Sequence, residues 1–120
     1  MNKKDTDLKQ MLIEDSKSES SGNIWTKSSG LPMIIFLWEK KHSKLACRIK
    51  VQKTYGDKVI YGKFTTVTVE DEPRIIGGRI KEKDFELIKK FISINKKALI
   101  EYWNYEIDAV EMFVRKLKKI

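Results

Sequence analysis

The run Leu31-Pro32-Met33-Ile34-Ile35-Phe36-Leu37-Trp38 is apolar at every position. A segment that is apolar on both alternating faces and rich in isoleucine predicts a buried central strand. It is far short of the roughly 20 apolar residues that span a bilayer. The segment that follows behaves differently. Over residues 45–52, Cys47, Ile49 and Val51 fall on one face and Ala46, Arg48, Lys50 and Gln52 on the other, the pattern of a half-exposed strand.

Further along, Tyr55-Gly56-Asp57-Lys58 reads as a turn. Residues 59–61 and 64–70 are β-rich, with Val67 and Val69 sharing a face. Pro73 ends that strand because it cannot donate to a ladder, and Arg74-Ile75-Ile76 adds a short edge strand before Gly77-Gly78. The period then changes. Phe85, Ile88, Phe91, Ile92, Ala98, Leu99, Tyr102 and Trp103 recur at three- and four-residue spacing, which predicts an amphipathic helix over 84–103. A last helix is predicted from Asp108 as cap, Glu111 three residues on, and Ile107 with Met112 as a staple. The expected fold class is α+β: a small, mostly antiparallel sheet covered on one side by two C-terminal helices. Residues 1–29, with Ser16-Lys17-Ser18-Glu19-Ser20-Ser21-Gly22, read as a flexible polar tail before a single domain over 30–120. One short amphipathic piece there, around Leu8, Met11, Leu12 and Ile13, would need to dock to stay helical.

The chain of 120 residues carries a formal charge of +8, spread unevenly. Residues 31–69 hold eight basic groups against Glu39 and Asp57. Such a field attracts polyanions, nucleic acid or an acidic protein, or serves solubility alone. Cys47 is the only cysteine, so no internal disulfide forms, and a reducing cytoplasm is the expected compartment. No apolar stretch follows the charged first residues to make a secretory signal.

Enzyme signatures are weak. His42 is the single histidine and sits among lysines, as a solvated loop residue would. Glu70, Asp71 and Glu72 are the densest acidic group, but neighbours on a strand point to opposite faces, so a solvated turn explains them better than a metal site. Gly77-Gly78 lacks the spacing of a phosphate-binding fingerprint and reads as a connection with unusual dihedrals. Cys47 reads as a small core residue. No cofactor is expected. The one constellation with binding chemistry is the exposed face of the second strand. Arg48 and Lys50 point together there, Lys44 and Lys53 flank them, and Tyr55, Tyr61 and Phe64 are near in sequence. Cations beside aromatics on a sheet suit single-stranded nucleic acid, and a protein-binding face is equally available.

Gly30-Leu31-Pro32-Met33-Ile34-Ile35, Arg48-Ile49-Lys50-Val51-Gln52, Glu70-Asp71-Glu72-Pro73-Arg74-Ile75-Ile76 and Leu99-Ile100-Glu101-Tyr102-Trp103-Asn104 together resemble a family of small bacterial proteins built on a domain of unknown function. In that family a sheet is followed by a helix ending in Trp-Asn, and some members are encoded near toxin–antitoxin-type genes. The resemblance covers about residues 30–120. It implies a partner-binding role by association. The His-Val-His type strand often present in such proteins is replaced here by Cys47-Arg48-Ile49-Lys50. The leading expectation is a non-enzymatic protein-interaction or antitoxin-like regulatory module acting through Arg48, Lys50 and Tyr55. A single-stranded or non-specific nucleic-acid-binding protein is the second, and a metal-dependent hydrolase using Glu70, Asp71 and Glu72 the third.

Overall fold

A computed structural model describes Gln10 and residues 22–40 and 46–120. Most of the expected tail, together with His42 and Lys44, lies outside the described residues. Within them, β1 (Gly22–Ile24), β2 (Ile35–Leu37), β3 (Arg48–Gln52), β4 (Phe64–Thr68) and β5 (Ile75–Ile76) form a sheet in the order of the sequence. Each neighbouring pair is antiparallel. The register sets Ile35 opposite Val51 and Ile49 opposite Val67, so these apolar side chains share one face. The long apolar run becomes the second strand of five, and β3 holds the centre.

Residues 22–29, expected as the end of the tail, instead form β1 and the short helix α1 (Thr26–Ser29). The reason lies in two residues: Ile24 and Ser29 are fully buried, and Asn23 pairs with Phe36. A single buried isoleucine plus ladder bonds orders a segment whose composition reads as loop. Gly22 fits because a Cβ there would lie 2.2 Å from Val110 Cγ2.

Two C-terminal helices cover the apolar face. Helix α2 (Glu82–Trp103) has 22 residues and is about 33 Å long. Ile88, Phe91, Ile92, Ala98, Leu99 and Tyr102 line its buried side and meet Ile35, Leu37, Ile49, Val51 and Val67 in one core. Phe91 and Phe113 are fully buried, each worth about 1.5–3 kcal/mol of transfer free energy. Asn95 is the polar exception on this stripe. Its Nδ2 donates to the Phe91 and Lys118 carbonyls, and its Oδ1 accepts from Lys118 N at 2.7 Å, which pins the C-terminal segment.

Helix α3 (Val110–Lys116) begins later than its sequence signal. Ala109 is the N-cap, with no side-chain cap bond, so Asp108 does not close the helix. Met112 is 47% exposed and makes no staple with buried Ile107. Phe113 sets the register instead: its ring meets Tyr102 edge-on at 5.8 Å, which turns Met112 toward solvent.

Candidate functional site

Arg48 and Lys50 do share a face, opposite Ile49 and Val51, as the alternation predicts. That face is not open. Arg48 is 3% exposed, and its guanidinium lies over the Trp103 ring at 5.1 Å while Nη1 donates to the Ala46 carbonyl. Lys50 is half-buried, with Nζ over the Trp38 ring at 4.6 Å. Trp38 and Trp103 close the face with Ile34 and Phe36 as a second apolar cluster. The Lys40 N–H donates to the Trp103 carbonyl, tying the exit of β2 to the end of α2. Both cationic heads thus lie against indole faces rather than standing out in water. The docking face expected at these two residues is therefore corrected to a packed layer.

Tyr55 sits elsewhere. Its hydroxyl donates to the Asp84 carboxylate, 2.9 Å from both oxygens, in the first turn of α2. Trp103, which carries Arg48, closes the other end of that helix, about 28 Å away along the axis. The three expected site residues do not form one surface.

The chain between β3 and β4 builds a different one. Gln52 is fully buried on the second face, and its amide gathers the excursion: Nε2 donates to the Thr54 and Lys58 carbonyls, and Oε1 accepts from Ile60 N. Lys53 N donates to the Lys63 carbonyl, and Gly56 N to that of Pro32. Gly56 adopts φ 92°, a left-handed turn conformation that glycine takes without strain. Asp57 accepts from Thr26 N and Oγ1, each at 2.8 Å, and so caps α1 from a distance. Those two bonds hold the Asp57 carboxyl below its ordinary value of 3.8. So fixed, the excursion presents Lys53, Lys58 and Lys63 to solvent, with Tyr61 86% and Tyr55 46% exposed.

The connection from β5 to α2 meets it. Arg79, Lys81 and Lys83 are exposed, and Lys81 Nζ lies 5.8 Å over the Tyr55 ring. The bond to Asp84 raises the Tyr55 hydroxyl pKa, because the neutral phenol is the donor. Between the segments lies a cavity of about 190 Å³, lined in part by Lys53, Arg79, Lys81 and Asp84 over a floor of Met33 and Val51. Lys53 is expected from the sequence as a flanking cation and Tyr61 as a nearby ring, whereas Arg79, Lys81 and Lys83 are not among the expected site residues. Their signal was present: three cations at alternate positions directly after Gly77-Gly78.

The acidic group does not converge. Glu70 pairs with Arg74 Nε at 2.9 Å, and Asp71 pairs with Lys96, which lowers the Asp71 pKa. Among the described residues no group of three or more His, Cys, Asp or Glu side chains is placed to hold a metal ion. Burial pushes the Cys47 thiol up to about 12, so it is no nucleophile at neutral pH. Gly77 and Gly78, with φ 65° and 132°, form the expected connection with unusual dihedrals. No described helix is long and apolar enough to cross a membrane.

No family model, curated protein or solved structure matches the chain, so the reading of this end rests on its geometry.

Proposed function

We propose that the chain is a non-catalytic module that binds single-stranded nucleic acid through its cationic end. The observation that carries this is the pairing of exposed Tyr61 and half-exposed Tyr55 with exposed Lys53, Lys58, Lys63, Arg79, Lys81 and Lys83 on two segments that touch. Ammonium and guanidinium groups pair with phosphates, and phenol rings offer stacking faces to bases that are not already stacked in a duplex. A ring standing out at a turn suits an unpaired base far better than a groove. The alternative of a protein partner docked on Arg48 and Lys50 requires those groups to face water, and they lie against Trp103 and Trp38. A hydrolase centred on Glu70, Asp71 and Glu72 requires converging carboxylates, and the first two are held by Arg74 and Lys96.

Fluorescence anisotropy with a labelled oligothymidylate and a duplex of equal length tests the reading. Four phosphate contacts give a salt slope near −3, so raising salt from 50 to 200 mM weakens single-strand binding by about 50-fold. Tyr61→Ala removes about 1–3 kcal/mol of binding, the worth of one stacked base. Affinity that is independent of salt, or a preference for the duplex, contradicts the proposal.

A further inference from the structure

The cavity beside Tyr55 is too small for a whole nucleotide in the manner of ordinary ligand pockets, which run to about 300–1,000 Å³. Its volume of about 190 Å³ suits one charged group. Lys53, Arg79 and Lys81 line it against a single carboxylate, Asp84, which leaves a surplus of two positive charges. The Asp84 oxygens are both engaged by the Tyr55 hydroxyl. A phosphodiester carries one negative charge, whereas a phosphomonoester carries about 1.5–2 at neutral pH. A further unspent group lies close to the lining residues Val51 and Lys53. Thr65 is the cross-strand neighbour of Val51, which lines the cavity floor. Its hydroxyl is 1% exposed as part of Thr65 and has no hydrogen-bond partner among the described residues. It faces the same point as the Lys53 ammonium: a Cβ built on Gly78 would stand 2.7 Å from Thr65 Oγ1 and 3.4 Å from Lys53 Nζ. Buried hydroxyls are nearly always satisfied, so one left over near the Lys53 ammonium can donate to an acceptor that enters beside them. Gly78 packs close against that hydroxyl with no room for a side chain, and its φ of 132° disfavours any replacement.

We infer that this cavity holds the terminal phosphomonoester of a single-stranded oligonucleotide, with Tyr55 at its rim and the strand running on toward Tyr61. The inference rests on the nucleic-acid reading above and adds recognition of a chain end to it. Lys53 and Arg79 supply the charge, and Thr65 supplies a hydroxyl donor once the phosphate is seated.

The test uses the full chain and labelled oligothymidylates of equal length bearing a 5′-phosphate, a 3′-phosphate or hydroxyls at both ends. One phosphorylated form binds about tenfold more tightly than the hydroxyl-ended form, the effect of one added charge-assisted contact. That ratio falls toward one in Thr65→Val, and also in Arg79→Ala and Lys53→Ala, where the hydroxyl-ended oligonucleotide is weakened as well but by a smaller factor than the phosphorylated one. Arg79 and Lys53 are exposed, so circular dichroism melts of their variants match the parent. Equal affinity for all three oligonucleotides overturns the cavity assignment and leaves the nucleic-acid reading standing. A tenfold preference that survives both alanine variants places the phosphate elsewhere and also overturns it. Failure of every oligonucleotide to bind removes both.

Discussion

A guanidinium laid 5.1 Å from an indole centroid exchanges part of its hydration for the negative face of the ring, and Arg48 does so while almost wholly removed from water. A desolvated contact of this kind is worth about 2 kcal/mol. The side chain thus belongs to the stability of the second apolar cluster. Arg48→Met is expected to lower unfolding stability in urea by about 1–2 kcal/mol and to leave oligonucleotide affinity unchanged. Lys53→Ala is its mirror: stability within about 0.5 kcal/mol of the parent, with weakened binding. An Arg48→Met protein of parental stability that no longer binds would reverse the roles assigned to these two residues. Residue types alone do not separate them, since both are cations beside aromatics in the sequence.

At the scale of elements, the excursion between β3 and β4 is held by Gln52 from within and by the Asp57–Thr26 contact from α1. The second hold is sensitive to acid. The folded-state pKa of Asp57 lies below its unfolded value, so its stabilising contribution is complete above about pH 4 and is lost as pH falls through the lower folded value. Protection of the Thr26 amide, taken relative to its intrinsic exchange rate at each pH, is therefore expected to fall on acidification below pH 4, and Asp57→Ala to show that lower protection at neutral pH. Slow exchange at Thr26 in the Ala variant would show that α1 closes without this cap. The elements themselves were largely legible. Alternation at residues 47–52 and the three-and-four spacing after Phe85 are direct images of one buried face, and they gave β3 and α2 their proper types. What the pattern did not convey was the cover on the other face. Trp38 and Trp103 are 65 residues apart in the sequence and meet only once α2 has crossed the sheet. The same distance effect hid β1, whose pairing with β2 outweighs a loop-like composition. It also misplaced the start of α3, where burial of Phe113 prevails over a local capping signal.

For the whole molecule, topology gathers part of the positive charge, +8 in all, at one end. The meander returns the β3–β4 excursion and the β5–α2 connection to one end, where Tyr55 bonds Asp84 and Lys53 reaches Gly78. Cations from the middle of the chain thereby join cations from the start of α2, two groups that no local window would combine. Under the proposed function, single-stranded nucleic acid binds at this end and not on the sheet face around Arg48 and Lys50. Amide chemical-shift mapping during titration with an oligothymidylate tests it most directly. Shifts are expected to concentrate in residues 53–63 and 77–84, with Ile49 and Lys50 nearly unmoved. Shifts centred on Lys50, Trp38 and Trp103, with the excursion silent, would contradict it.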